Sequence, residues 1–126
     1  MDNLKQLPLH SFHEAMGAKL GPFAGHVMPV QYRHGVIAEH LHTRAKTSLF
    51  DVSHMGQIIL PLNARRALES LSPCDVEGLP ENHQRYGLFT NDQGGVIDDF
   101  MLVRRSNDLF LVVNASRKHR DLALLQ

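Results

Sequence analysis

The chain has 126 residues, of which 43% are hydrophobic, and this is enough for one domain with an apolar core. Lys and Arg together number 13, as do Asp and Glu, so the formal net charge is zero and a general basic field for nucleic acid is disfavoured. No apolar run is long enough to cross a bilayer. The single cysteine, Cys74, cannot form an intrachain disulfide, which favours a reducing compartment. Because the first ten residues carry neither a signal-peptide nor a transit-peptide pattern, we predict a cytoplasmic location.

The first third of the chain predicts two helices with an irregular segment between them. Residues 9–18 place apolar side chains at helical spacing, and glycines then end the helix. Residues 23–32 contain Gly25 and Pro29, so we expect an extended or looping segment. Residues 36–46 predict the second helix, with apolar side chains again sharing one face.

A strand and a short helix are predicted next. Residues 48–62 are rich in apolar and β-branched side chains, and Gly56 within them indicates a bulge or a close backbone approach. Asn63 is a suitable N-cap for a helix over residues 64–71. Residues 72–83 hold Pro73, Gly78 and Pro80 and predict a loop.

The last part of the chain predicts an antiparallel meander followed by a helix. Three strand-like runs, residues 85–90, 96–104 and 109–113, are separated by turn-forming residues. Asn114 and Ser116 compete as N-cap of a final helix that reaches Gln126 without a stop signal, so we expect a piece of a longer protein. The whole pattern predicts an α+β fold, an antiparallel sheet with flanking helices.

Simple catalytic and metal patterns are weak in this sequence. His10 and His13 could share a helix face, but no cysteine or HExxH spacing accompanies them, and we predict no metal site. Asp51, Ser53 and His54 are the residue types of a hydrolase triad, yet on a strand His54 points away from the other two.

Two adjacent acids interrupt an apolar strand in the stretch GGVIDDFMLV. The glycine pair predicts a hairpin turn rather than a phosphate loop. Strand periodicity places Asp98 with Phe100 on one face and Asp99 with Met101 on the other, so we expect only one acid to reach any given site. Apolar neighbours on both sides predict that both faces of the strand are covered. The pattern favours a structural role for each acid. It does not indicate which of the two acids faces a cavity.

Four blocks of sequence resemble the aminomethyltransferase family, the T-protein of the glycine cleavage system. They are PFAGHVMPVQY, EHLHTRAKTSLFDVSHMGQI, RYGLFTNDQGGVIDDFMLV and LFLVVNASRKHRDLALLQ, in the order and spacing of that family. The resemblance runs from about Pro8 to Gln126. It implies that residues 1–126 are the N-terminal folate-binding part, truncated at its C-terminus, of a fold with three domains around a folate site.

The resemblance also implies a reaction and a set of site residues. The family transfers a one-carbon unit from the aminomethyl-lipoyl arm of H-protein to tetrahydrofolate, with release of ammonia. Matched by position, Asp98 is the catalytic and folate-binding acid, and Asn114, Tyr86 and Met55 line the folate cavity. Leu88 is a further apolar candidate to cover the pterin ring. Other folate-binding residues of the family fall beyond Gln126, so the chain alone is expected to be inactive.

Two alternatives stay open from the sequence. The first is a folate-binding domain of a dimethylglycine or sarcosine dehydrogenase-like protein, which has a large flavin domain upstream. The second is a non-catalytic folate-binding relative, such as a tRNA-modifying or iron–sulfur assembly factor. Such relatives generally depart from the FDVSHMG and GGVIDD patterns that this chain keeps.

Overall fold

A computed structural model describes residues 3–126, which form two compact units, one through His54 and one from Met55 to Gln126. The first two residues of the starting segment, from which the absence of a leader was predicted, lie outside the described residues. No helix within residues 3–126 is both long and apolar enough to span a membrane.

The first unit contains a small mixed sheet and two helices. Its elements in chain order are β1 (Lys5–Gln6), α1 (His10–Ala15), β2 (Lys19–Phe23), β3 (His26–Gln31) and α2 (Gly35–Ala45). The strand order is β1-β3-β2, with β1 parallel and β2 antiparallel to β3. The two predicted helices are confirmed, and the irregular segment is largely β3. Strands β1 and β2 were not predicted.

The second unit is built on an antiparallel sheet of four strands. Its elements are β4 (Gly56–Pro61), a 3-10 turn (Leu62–Ala64), α3 (Arg65–Ser70), β5 (Gln84–Thr90), β6 (Val96–Arg104), β7 (Asp108–Val113) and α4 (Lys118–Leu124). The strand order is β4-β7-β6-β5. The predicted meander of the last three strands is therefore confirmed, and β4 joins it beside β7.

One face of this sheet carries the core of the second unit. The buried apolar residues come from alternate positions of the strands and from the helix and loop that precede β5. They are Ile58, Leu68, Cys74, Val76, Leu79, Phe89, Phe100, Leu102, Leu109, Leu111 and Val113. The opposite face is half-exposed in this chain, with Ile59 and Tyr86 about 60% accessible. The β6 residues on this face are half-buried, so the expectation that β6 is covered on both sides is met only in part within residues 3–126.

Gly56 and Gly94 behave as the sequence predicts. A Cβ on Gly56 would lie 2.6 Å from Lys118 Cβ and 2.6 Å from Val113 Cγ2, so the close backbone approach is confirmed. Gly94 has φ +77° in the turn between β5 and β6, a backbone conformation that residues other than glycine rarely adopt.

Several predicted boundaries and caps are wrong. Residues 48–55 are not a strand, and pairing with β7 begins only at Gly56. Asn63 lies inside the 3-10 turn and does not cap α3, whose N-cap position is Ala64. Neither Asn114 nor Ser116 caps α4, because Arg117 occupies the N-cap position and the Asn114 amide is engaged elsewhere.

Candidate functional site

Four of the predicted site residues lie on the half-exposed face of the second sheet. Strand register pairs Leu88 of β5 with Asp99 of β6. The pair Phe100–Val113 joins β6 to β7, so the next position sets Asn114 opposite Asp99. The pair Gly56–Val113 joins β7 to β4, and the next position sets Met55 opposite Asn114. Directly opposed residues share a face, so Leu88 and Asp99 lie in one row across β5 and β6. Asn114 and Met55 lie one residue outside β7 and β4 and continue this row when the register is extended by one position.

Tyr86 belongs to the same face, two residues before Leu88 on β5. Its ring is largely exposed. Partial burial raises the pKa of the Tyr86 phenol, and the neighbouring Asp99 carboxylate raises the pKa further by hydrogen bonding and by its charge. The face therefore combines apolar surface from Met55 and Leu88 with a phenol, an amide and a carboxylate.

Asp98, the acid that the resemblance selects, points to the opposite, core-facing side. It is registered with Phe89, which is buried and packs against Phe100 with ring centroids 4.4 Å apart. The Asp98 side chain is only 11% accessible. Strand periodicity thus separated the two acids as expected, but the other four predicted residues share the face of Asp99. The role of Asp98 in catalysis stays a prediction, and the register adds Asp99 as a candidate.

One amide group nevertheless links the two acids. Asn114 Nδ2 lies 2.6 Å from Asp99 Oδ1 and 2.9 Å from Asp98 Oδ1, so its two hydrogens can be donated to different carboxylates. The backbone N–H of Asp99 also donates to Asp98 Oδ1, at 2.9 Å. The expectation that only one acid reaches a given site is therefore wrong. Asn114 stands just past the end of β7, where its side chain can reach both.

Two charged residues that the sequence analysis did not select lie on the core side of this cluster. Arg117 Nε lies 3.7 Å from Asp98 Oδ2, and Arg117 Nη2 donates to the Ile97 carbonyl oxygen at 3.2 Å. Asp121 on α4 is fully buried beside Asp98. Burial, followed by the charge and hydrogen bonding of the neighbouring Asp98, raises the pKa of Asp121 to about 6.

A signal for Asp121 was present in the sequence. Leu124 and Leu125 lie three and four residues after Asp121, and residues at those spacings share one face of a helix. Both leucines pack against the core. An acid on the apolar face of a helix is a candidate for a buried polar contact.

The first unit holds a separate polar cluster around His13. His13 Nε2 lies 2.7 Å from Asp51 Oδ2, and His13 Nδ1 lies 2.8 Å from the Tyr32 hydroxyl. The backbone N–H of Ser53 donates to Asp51 Oδ1 at 2.9 Å, and the Ser53 hydroxyl donates to the same oxygen. Burial alone would raise the pKa of Asp51, but the donors His13 and Ser53 outweigh it and lower the pKa to about 2.

This cluster does not have the arrangement of a hydrolase triad. Asp51 is bound by His13, while His54 packs against the rings of Phe23 and His26, with centroids 5.7 and 6.2 Å away. His13 is engaged by Tyr32 and Asp51, so it does not combine with His10 as a metal pair. Within residues 3–126 no group of three or more His, Cys, Asp or Glu side chains is arranged to hold a metal ion.

Comparison with known proteins gives a family match over most of the chain. Residues 9–126 match the family described as the GCVT N-terminal domain. The mitochondrial aminomethyltransferase of Dictyostelium discoideum is 43% identical over 123 residues, which are 97% of this chain and 30% of the relative. The aminomethyltransferase of Prosthecochloris aestuarii is 41% identical over 125 residues, which are 98% of this chain and 34% of the relative.

A solved structure gives the same answer for the fold. The crystal structure of glycine cleavage system aminomethyltransferase T from Bartonella henselae superposes with a TM-score of 0.89 at 43% sequence identity. The match covers 97% of this chain and 34% of that one. The α+β fold class and the family resemblance are confirmed. This chain spans about a third of the length of these relatives, which include mitochondrial and bacterial proteins. The cytoplasmic location stays a prediction.

Proposed function

The chain belongs to the family of the GCVT N-terminal domain, and from that premise we propose that it forms part of an aminomethyltransferase of the glycine cleavage system. The proposed reaction starts from an aminomethyl group on the lipoyl sulfur of H-protein. The carbon–sulfur and carbon–nitrogen bonds of that group break, and ammonia and the dihydrolipoyl thiol leave. The carbon becomes bonded to two nitrogens of tetrahydrofolate, which gives 5,10-methylenetetrahydrofolate.

The half-exposed sheet face fits tetrahydrofolate by its chemistry. A pterin is flat, with apolar faces and an edge of hydrogen-bond donors and acceptors. Met55 and Leu88 offer apolar surface for the faces, and Tyr86 adds an aromatic ring with a hydroxyl. Asn114 offers both a donor and an acceptor to the edge. When bound, tetrahydrofolate supplies the two nitrogens that receive the one-carbon unit.

A carboxylate at this face has a clear chemical role. Positive charge develops at the one-carbon unit as ammonia departs, and a fixed negative charge nearby lowers the free energy of that state. The carboxylate can also accept a proton from a reacting nitrogen. A partly desolvated carboxylate interacts more strongly than one in bulk water.

We assign this role to Asp99, although the resemblance by position selects Asp98. The observation that carries the assignment is the row of Met55, Asn114, Asp99 and Leu88 across the four strands. Asp98 faces the core beside Phe89 and Phe100. It shares the Asn114 amide with Asp99, so we assign it the task of holding that amide in place.

The test is a comparison of single variants in the complete protein that contains this chain. Turnover is measured with aminomethylated H-protein and tetrahydrofolate. We expect Asp99→Asn to lower turnover about 100-fold, the size of effect that loss of one transition-state electrostatic contact produces. Asp98→Asn should lower turnover no more than about 10-fold, which corresponds to about 1.4 kcal/mol.

The control and the contrary outcomes are defined by the same assay. Asp92→Asn removes an exposed turn carboxyl and should leave turnover unchanged. A larger loss in Asp98→Asn than in Asp99→Asn would restore the assignment by resemblance. Absence of aminomethyl transfer by the unaltered complete protein would reject the proposed function and favour a non-catalytic folate-binding relative.

The chain of 126 residues by itself is proposed to lack measurable transfer. The relatives that this chain matches are about three times as long, and we propose that residues outside these 126 complete the folate site. Sustained turnover by the isolated chain with H-protein and tetrahydrofolate would contradict this.

A further inference from the structure

Buried carboxyl oxygens without a donor stand out on the core side of the acidic cluster. Both side-chain oxygens of Asp121, and Oδ2 of Asp98, are inaccessible to solvent and take no hydrogen bond from an N–H or hydroxyl group of residues 3–126. Burying an ionised carboxylate without compensation is expensive. Such orphaned oxygens therefore require an explanation.

The contacts of Asp98 show which of its oxygens needs a partner. Asp98 Oδ1 receives the N–H of Asp99 and the amide of Asn114, each at 2.9 Å. Asp98 Oδ2 has Arg117 Nε at 3.7 Å, which is too long for a hydrogen bond. The buried Asp121 carboxyl group is a close neighbour of Asp98, and both the charge and the hydrogen-bonding capacity of Asp98 contribute to the raised pKa of Asp121.

The charges around Asp98 and Asp121 favour the binding of one proton by this pair. Asp121 on α4 is next to Asp98 on β6, and Arg117 and Arg120 are the nearby cations. The Asn114 amide donates to both Asp98 and Asp99 and so links the two carboxylates. Tyr86 is a neighbour of Asp99. If all three acids were ionised, the two cations Arg117 and Arg120 would leave one negative charge without compensation. Two carboxyl groups in contact are stable when one of them carries a proton.

We propose that Asp121 is a positioning residue whose protonated carboxyl group donates a hydrogen bond to Asp98 Oδ2. This bond gives Asp98 Oδ2 a donor, and the proton removes the buried negative charge of Asp121. It also fixes Asp98 Oδ1 as the acceptor for Asn114, whose other amide hydrogen binds Asp99. Asp121 thus acts indirectly, through Asp98, on the orientation of the Asn114 amide and of the Asp99 carboxylate. Its consequence for catalysis rests on the proposed function, whereas the carboxyl pair itself does not.

A raised pKa supports the geometry. Burial, and then the charge and hydrogen bond of Asp98, raise the pKa of Asp121 to about 6. Arg117 and Arg120 oppose that shift without cancelling it. The hydrogen bond should therefore be present at mildly acidic pH and be lost as the pH rises above about 6.

The direct test is a carboxyl-carbon NMR titration of the complete protein that contains this chain, labelled with ¹³C at aspartate. We expect the Asp121 resonance to titrate with a midpoint near 6 and the Asp98 resonance to show an inflection at the same pH. In Asp121→Asn that inflection should vanish from Asp98. In Asp98→Asn the midpoint of Asp121 should fall by about one unit, because an amide donor replaces a negative charge.

The matched control is Asp92→Asn, which makes the same chemical change at an exposed turn and should leave both resonances as they are. An Asp121 midpoint below 4.5, or an Asp98 resonance that stays flat between pH 5 and 7, would overturn the proposal. Because Asn keeps a donor and nearly the shape of Asp, the Asp121→Asn variant remains informative even if larger changes prevent folding.

Turnover of the complete protein separates this proposal from the proposed function. Asp121→Asn should keep turnover within about 3-fold and lose any inflection near pH 6, since the amide still donates to Asp98. Asp121→Leu, measured below pH 6 where the hydrogen bond is present, should lose more than about 3-fold but no more than the loss of up to about 10-fold expected for Asp98→Asn. If the NMR pair is present but the unaltered protein transfers no aminomethyl group, the proposed function fails and the pair stands. If the pair is absent, the positioning proposal fails whatever the turnover.

Discussion

Asp51 in the first unit and Asp121 in the second are both buried aspartates, yet their pKa values shift in opposite directions. Burial tends to raise both pKa values. Around Asp51 the neighbours are donors, His13 and Ser53, and the pKa is lowered to about 2. Beside Asp121 the neighbour is another carboxylate, Asp98, and the pKa is raised to about 6. The difference teaches that the chemistry of the partner, more than burial itself, decides the sign.

The two arrangements also predict opposite responses of stability to pH. A group whose pKa is lowered on folding stabilises the folded state above its ordinary pKa, and that contribution is lost as the pH falls through the lowered value. An acid whose pKa is raised on folding makes the folded state bind more protons. Its contribution therefore declines as the pH rises between the ordinary and the raised values. Asp51 and Asp121 should thus act in separate pH windows.

The largest effect is expected from His13→Leu, which removes the partner of Asp51 Oδ2 and of the Tyr32 hydroxyl. Removing the partner of a buried carboxylate leaves an uncompensated charge, which costs about 3–5 kcal/mol. Urea unfolding at pH 7, followed by hydrogen exchange of amides in β3, measures the loss in the first unit. The same substitution at the exposed His40 serves as control and should change stability by less than about 0.5 kcal/mol.

The next effect is the pH dependence that Asp121 imposes on the second unit. Between pH 4 and pH 6 the free energy of unfolding should fall by up to about 3 kcal/mol, because the folded state holds a proton that the unfolded chain has released. Hydrogen exchange of amides in β6 reports it. Asp121→Asn should flatten this slope, and a slope that persists unchanged in the variant would mean that another group titrates.

A somewhat smaller effect is expected from Asp51 at acid pH. From pH 4 down to pH 2, protonation of Asp51 should remove about 2 kcal/mol of the stability of the first unit. The comparison with His13→Leu isolates this contribution, since the variant lacks the main donor. Equal acid slopes in the unaltered chain and in His13→Leu would show that Asp51 is not held as described.

The smallest effect should come from Ser53→Ala. Ser53 is exposed, and its hydroxyl is one of several donors to Asp51, so its removal should cost about 0.5–1.5 kcal/mol. The pKa of Asp51 should move part of the way back toward its ordinary value, as an aspartate ¹³C titration would show. A loss as large as that of His13→Leu would place the main stabilising contact at Ser53 instead.

Local patterns predicted much of the fold because they depend on neighbouring residues. Strand periodicity with turn residues located β5, β6 and β7, and helical spacing located α1 and α2. The two-residue strand β1 escaped prediction because it exists only by pairing with β3, some twenty residues away. The cap predicted at Asn114 failed because its amide binds Asp98 and Asp99, which are distant in sequence. Long-range partners outcompeted a local preference.

For the candidate site, too, the sequence predicted some features and the tertiary structure decided the others. Sequence blocks were enough to indicate the family and to select Met55, Tyr86, Leu88, Asp98 and Asn114 as candidates. They also showed that Asp98 and Asp99 lie on opposite faces of one strand, because side chains alternate along any strand. Only the pairing of four strands decided that Asp99 shares its face with the other candidates.

The sequence by itself determined the fold class, the family and the alternation of the two acids, since these follow from local periodicity and from motifs that are read in order. The tertiary structure decided which carboxylate meets which neighbour, because contact between distant segments depends on strand register and helix packing. Asp121 is the clearest case. Its place on the apolar face of a helix signals a buried polar contact, but only packing identifies Asp98 as the partner.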